Sequence, residues 1–262
     1  MPVKVNRMAP GDDHDRELQR AFDGQAARFE AAPVQSDPAA LARLVAFARL
    51  PPGARVIDGG CGPGLVAEAF LEAGHSVHGV DLSPEMLVRA RQRCARFGAR
   101  ASFQQGSIFE VKTSTPFDAA VSRFVLHHLR DPAALLAAQA MLVRPLGAVI
   151  ACDQSGDPDR EVACRHDAIE RGRDRTHMSV LSPQALLQAM AAAGLTQLEL
   201  VEEPFELDFD EWFDRGTPSL PKAEVRSLIL SGRCRTLDPH PRPDGCITLR
   251  CLRFLARGIR PG

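Results

Sequence analysis

A doubly wound, mostly parallel α/β sheet is the fold class that the 262 residues predict, on three observations. Short apolar runs alternate with helical patterns through the middle of the chain. Proline-containing helix starts, Ser83-Pro84 and Asp131-Pro132, fall between those runs. Four glycines, at 59, 60, 62 and 64, crowd the turn that follows the first run. Mostly apolar runs suit strands covered by helices on both faces, and strand-helix alternation builds a parallel sheet.

Residues 54–58 (ARVID) read as the first strand and 65–74 (LVAEAFLEAG) as the helix that follows it. Residues 76–82 (SVHGVDL) read as the second strand. The helix over 83–98 takes Ser83 as N-cap, Pro84 at its first position and Gly98 as its stop. Strands follow at 100–106, 117–122 and 147–153, with a helix from Asp131-Pro132 through Val143 between the last two. Beyond a helix at 182–194, two strand-like runs, 196–208 and 246–258, are joined by a segment with only a short helix signal near 224–230. That joint predicts an antiparallel strand closing a seven-stranded sheet. Residues 154–181 carry many charges and no sheet signal, so they are expected to form a helical insertion over one end. The first fifty residues read as helices lying over the domain.

Composition narrows the function. A net charge of −1, 45% hydrophobic and 25% charged residues describe a globular protein rather than a nucleic-acid binder or a disordered chain. No apolar run approaches the ~20 residues of a membrane span, and the opening residues lack the apolar core of a signal peptide, so a cytoplasmic protein is expected. The seven cysteines show no zinc-type spacing. They are expected to be reduced and mostly buried, with no structural metal.

In such sheets ligands bind beyond the carboxyl ends of the strands, and glycines after the first strand let a ligand approach the main chain. The following helix offers its N-terminal dipole to an anionic group. A dinucleotide fingerprint, G-x-G-x-x-G, fails at Leu65; the pattern is Asp58-x-Gly60-x-Gly62-x-Gly64. Together with GHSVHGVDLSPEML, QGSIFEV, FDAAVSRFVLHHLRDP and LVRPLGAVIACD, it resembles the S-adenosylmethionine-binding core of class I methyltransferases over most of residues 20–155. FDGQAARFEAAPVQSDP (22–38) is similar to the N-terminal segment of small-molecule methyltransferases related to the ubiquinone and menaquinone C-methylating enzymes. The resemblance implies a single domain, 1–262, with a Rossmann-like methyltransferase sheet. Its expected parts are a helical lid (1–50), a cofactor-binding core (51–153), an insertion over the acceptor pocket (154–181) and the C-terminal part of the sheet (182–262).

The same resemblance implies the site. Asp81, ending the second strand, is placed to accept hydrogen bonds from both ribose hydroxyls. Leu82 and Ile108 bracket the adenine, and Ser107 stands where relatives most often carry aspartate, which predicts a weaker adenine contact. Asp58 orients the glycine turn (Gly60, Gly62, Gly64) and faces the ammonium end. Gln25, Phe29, Met86 and Arg123 complete the expected cofactor contacts. Relatives often place tyrosine where Phe29 stands. His127 is the candidate base or substrate ligand, with Phe124 and His177 as further substrate contacts; only one of the adjacent His127 and His128 is expected to face the pocket. His166, Arg171 and Arg173 read mainly as a solvated helix face, and Trp212 as an anchor for the C-terminal part.

These features imply transfer of a methyl group from S-adenosyl-L-methionine to O, C or N of a small organic acceptor, leaving S-adenosyl-L-homocysteine. No nucleic-acid substrate or membrane span is expected, and the chain is expected to be a monomer or homodimer. Two other classes stay open at this point: a protein that binds the cofactor without transferring methyl, and a nicotinamide-dependent oxidoreductase, which Leu65 disfavours.

Overall fold

The computed structural model describes residues 13–232 and 234–262. The first twelve residues of the expected helical lid lie outside them. Three helices open the described chain: α1 (Asp13–Ala31), α2 (Pro33–Ser36) and α3 (Pro38–Ala48). The core then alternates β1 (Arg55–Gly59), α4 (Leu65–Glu72), β2 (Ser76–Asp81), α5 (Pro84–Cys94), β3 (Ala101–Gln105), β4 (Phe117–Arg123), α6 (Pro132–Leu142) and β5 (Val143–Gln154). After α7 (Arg160–Arg173) and α8 (Pro183–Ala192) come β6 (Thr196–Asp208), α9 (Phe209–Arg215), α10 (Lys222–Leu230), β7 (Asp238–Pro241) and β8 (Ile247–Ile259).

The sheet order is β3-β2-β1-β4-β5-β8-β6, with β7 paired to β8. Strands β1 to β5 run parallel, and β8 lies antiparallel between β5 and β6. Alternation along each strand sends neighbours to opposite faces. Thus Val56, Val121, Ile150 and Leu255 join α3 and α4 in one apolar layer. Ile57, Ala120, Val149 and Phe254 join α6 and α8 in the other. A third cluster, around Trp212, Ile169, Val225 and Leu249, ties α7, α9 and α10 to β8.

Local signals explain the helix starts. Ser83 caps α5 by accepting from Met86 N, Asp131 caps α6 by accepting from Ala134 N, and each cap is followed by a proline. Three differences from the sequence reading have local causes. Helix α5 ends at Cys94 and continues as a 3-10 turn to Arg100, with the break at Gly98, whose φ is 55°. Helix α9 is one short, charged heptapeptide without the longer apolar period that sequence patterns reveal. The eighth strand, β7, reads Asp-Pro-His-Pro; prolines fit it because it lies at the sheet margin, pairing only with β8.

Candidate active site

The strand order reverses between β1 and β4, and a cleft opens beyond the carboxyl ends of β1, β2 and β4. Helix α1 lies across α5 beside it. Its Glu30 pairs with Arg89 and Arg93 (2.6 and 2.5 Å), and Asp23 accepts from Ser83 Oγ (2.5 Å). At the other end of α1, a hydrogen bond joins His14 Nε2 to the His128 carbonyl (2.8 Å).

The glycine turn is bound to the end of β2 rather than left open. Gly60 N and Cys61 N donate to Val80 O (2.8 and 3.1 Å), and Gly62 N donates to Asp81 Oδ2 (2.8 Å). Gly60 and Gly62 have φ of 72° and 51°, where a Cβ is strained, and a Cβ on Gly60 would come within 2.6 Å of Val125. Gly64 corrects the expectation of cofactor contact. It does not line the cleft; at φ 83° it caps α4, and a Cβ there would meet Ala90 Cα at 3.0 Å. Close packing of α4 on α5 is its physical role.

Asp81 also accepts from Ser83 N through Oδ1 (2.9 Å), so each carboxylate oxygen is fixed by one backbone donor and retains a second lone pair at the cleft wall. Burial, helped by the charge of Asp23, raises its pKa, while the backbone donors of Ser83, Gly62 and Leu82 pull it down. Asp58, 1% exposed, has Oδ2 without a partner among the described residues. Burial, then the charge of Asp81, push the Asp58 carboxyl up to about 8, opposed by Arg123. Arg123 donates to the carbonyls of Gln35 and Val34 (2.9 and 2.7 Å) and lies against the Phe124 ring. Burial lowers its pKa.

Phe29, Leu82, Met86, Ser107, Ile108 and Phe124 also line this cleft. Ser107 Oγ accepts weakly from Phe109 N (3.4 Å). Phe109, Phe22 and Gln35 line it too, and the sequence reading gave them no place in the site. A second, smaller cavity adjoins the first. Phe22, Phe29, Gln35, Phe124 and His128 border both. Gln25 lines the second cavity instead of the cleft, and its Nε2 is buried without a partner among the described residues. Its place on α1 turns it away from the glycine loop and toward Phe205 and Trp212.

Both histidines of the turn after β4 reach this second cavity, contrary to the expectation of one. Their rings lie 4.1 Å apart, because a 3-10 turn (Leu126–His128) folds them over the same end of β5. His127 Nδ1 meets Asp153 Oδ1 at 2.5 Å, and Asp153 also accepts from Leu126 N and Gln154 N (both 2.7 Å). Burial disfavours the imidazolium, but Asp153 outweighs it and raises the His127 pKa; the Asp153 carboxyl is correspondingly lowered. Asp153 is a site residue that the sequence reading passed over, although it ends the fifth strand as Asp58 and Asp81 end or nearly end theirs.

His177 lines neither cavity. It stands behind His127, with ring centres 5.7 Å apart, and Nε2 bonds to Asp167 (2.9 Å). His166 and Arg173 are buried rather than solvated: His166 bonds to Thr236, and Arg173 donates to Trp212 O and packs over its ring. Trp212 does anchor α9, and it also walls the second cavity. The seven cysteines are free thiols; five are buried, Cys246 is half-buried and Cys164 is exposed.

A glycine turn after β1, a carboxylate ending β2 and a cleft at the reversal of strand order define a Rossmann-like cofactor site. Comparison with known proteins narrows the class: residues 34–200 match the methyltransferase domain family, and the chain belongs to it. The ubiquinone biosynthesis O-methyltransferase of Xanthomonas campestris pv. campestris is 37% identical over 98 residues, 37% of this chain and 41% of that protein. The chain thus spans about two fifths of the length of such relatives. The YcgJ protein of Bacillus subtilis has the same fold, with a TM-score of 0.75 at 22% identity over 86% of this chain and 99% of that one. Phosphoethanolamine N-methyltransferase 2 of Haemonchus contortus, solved with S-adenosyl-L-methionine, gives 0.62 at 19% identity over 96% and 61%. Among the described residues, no helix is long and apolar enough to cross a membrane and no cluster could hold a metal ion.

Proposed function

We propose that this protein is an enzyme that transfers the methyl group of S-adenosyl-L-methionine to the oxygen of a small organic acceptor. The observation that carries the reading is the Asp81 carboxylate, held by Gly62 N and Ser83 N with a lone pair spare on each oxygen, which suits a vicinal ribose diol. The unpartnered Asp58 Oδ2 fits the ammonium end, and Arg123 fits the carboxylate beside it. Leu82, Ile108 and Phe109 supply apolar surface for the adenine, and Ser107 in place of aspartate makes that contact uncharged. Oxygen is favoured over carbon or nitrogen because the relatives of this chain are named as O-methyltransferases.

When bound, the cofactor supplies an activated methyl group on a sulfonium, so alignment contributes much of the rate. The chain's own part is to hold and orient the acceptor. Phe22, Phe29 and Phe124 close the junction of the two cavities and exclude water there. His127 is the acceptor ligand: Asp153 favours its protonated form, and Nε2–H then donates to the acceptor oxygen. His177 and Asp167 support this ring from behind rather than touching the acceptor.

Calorimetric titration with S-adenosylmethionine, S-adenosylhomocysteine and NADH, repeated on Asp81→Ala, tests the reading. The two sulfur compounds should bind the wild type and lose affinity in the variant. Binding of NADH alone, or of none of the three, would overturn the proposal.

A further inference from the structure

A relay of three side chains fixes the proton of His128. Asp174 faces the Arg173 guanidinium at 3.5 Å; Arg173, then the neighbouring His128 and the Thr176 donors, outweigh burial and lower its carboxyl. Its Oδ1 accepts from Thr176 N (3.0 Å), Thr217 Oγ1 (2.8 Å) and Thr176 Oγ1 (2.7 Å). A threonine hydroxyl has one proton, and that of Thr176 goes to Asp174. Toward His128 Nδ1, 3.1 Å away, Thr176 Oγ1 therefore accepts, as does the Thr176 carbonyl at 3.3 Å. His128 Nδ1 must carry the hydrogen. Nε2 is left as a bare lone pair, with no hydrogen bond among the described residues.

The charge state agrees with this geometry. Burial and then the neighbouring His127 push the His128 pKa down to about 3, so the ring is neutral where His127 is held toward its cation. The Phe22 and His128 rings pack edge to face with centres 5.0 Å apart, and both side chains border both cavities, whereas His127 borders only the second. Of the two imidazoles, His128 alone stands at the passage where a donor in the cleft and an acceptor in the chamber would meet.

We propose that His128 is a further catalytic residue: its bare Nε2 accepts the hydrogen bond of the acceptor's reacting hydroxyl and takes its proton as the oxygen is methylated. The inference rests on the methyl-transfer reading above. The O–H bond breaks with its electron pair left on oxygen, and the proton bonds to Nε2 and passes to water. A weakly basic imidazole suffices for this step, because a hydroxyl oxygen that has gained a methyl group is a far stronger acid than an imidazolium. The arrangement selects hydroxyl acceptors over ethers of the same shape. With its donor already fixed on Nδ1, His128 offers an incoming group only a lone pair, and His127 beside it offers only a proton.

The test is 15N nuclear magnetic resonance of histidine-labelled protein at neutral pH, with the His128 signals identified by their loss in His128→Gln. Nδ1 should be protonated and Nε2 bare, and Thr176→Val, which leaves only the Thr176 carbonyl as acceptor, should weaken the preference. Phenol, added as a probe in the presence of S-adenosylhomocysteine, should move the Nε2 resonance, and anisole should not. A proton on Nε2 in the free protein, equal shifts from phenol and anisole, or no shift with phenol at its solubility limit would each overturn the proposal. Calorimetry of S-adenosylhomocysteine on the same sample separates the two readings. If it fails to bind, the methyl-transfer reading falls, and the catalytic role falls with it, while a bare Nε2 that answers phenol would still stand as a hydroxyl-binding site.

Discussion

Replacing Asp58 by asparagine should make the protein more stable at alkaline pH while weakening its ligand site. In the folded chain burial and Asp81 hold this carboxyl at about 8, against an ordinary 3.8. Between those values the folded state binds the extra proton and the unfolded state does not. The stability contributed is therefore complete below about pH 4 and is lost as pH rises through about 8. At ~1.4 kcal/mol per pH unit, the interval from 3.8 to about 8 amounts to ~5 kcal/mol. Asparagine resembles the protonated acid and has no such slope. Urea denaturation should thus find the two proteins similar near about pH 4 and the variant several kcal/mol more stable near about pH 8.5. Binding adds a second readout. An ammonium group at Asp58 needs the carboxylate, so at neutral pH S-adenosylhomocysteine should expel close to one proton from the wild type and none from Asp58→Asn, measured by calorimetry in buffers of different ionisation enthalpy. Parallel stability profiles, or binding heats independent of the buffer, would refute the reasoning.

Asp81→Ala removes acceptors for two ribose hydroxyls at ~1.5–3 kcal/mol each, so S-adenosylhomocysteine affinity should fall at least ~100-fold; a change under about tenfold would contradict the assignment. Asp153→Asn withdraws the charge that raises the His127 pKa. If protonated His127 holds the acceptor, activity is lost as pH rises through its folded pKa, and the pH-rate profile of the variant should show that loss at lower pH. Gly64→Ala forces a Cβ against Ala90 at a φ of 83°, which should cost about 2 kcal/mol in thermal or urea unfolding while leaving cofactor affinity of the folded protein within a few-fold. Glu30→Gln breaks the pairs that hold α1 to α5; because they are partly exposed, global stability should change by about 1 kcal/mol or less, and limited proteolysis within α1 should accelerate.

The fold was legible because its signals are local. A Ser-Pro start, a glycine at a positive φ and an apolar run each report on the backbone within a few residues. Strand β7 escaped because its pairing with β8 is the whole cause of its conformation: Asp-Pro-His-Pro has no strand preference of its own. Asp81 was legible for the same reason as the turn it anchors, since its partners Gly62 and Ser83 belong to the motifs that flank it. Gly64 was misplaced because the sequence shows that a glycine is needed but not whether a ligand or another helix fills the space. Here Ala90 of α5 fills it.

The charge states of the two histidines were not legible, and the reason is distance along the chain. His127 is held by Asp153, 26 residues on, and His128 by Thr176, 48 residues on; helix α1 reaches back to His128 O from 114 residues away. Sequence treats the two imidazoles as equivalent, yet a carboxylate in direct contact favours the cation at one, while a hydroxyl already committed to another carboxylate leaves the other neutral. The insertion was misjudged for a related reason. His166 and Arg173 read as a solvated face, but buried charges are tolerated when they pair, and Glu170 and Asp174 lie within pairing distance of the Arg173 guanidinium. That buried group positions Thr176, and through it the His128 proton. A charge cluster that composition assigns to the surface thus determines which nitrogen lone pair is left bare on a ring that borders both cavities.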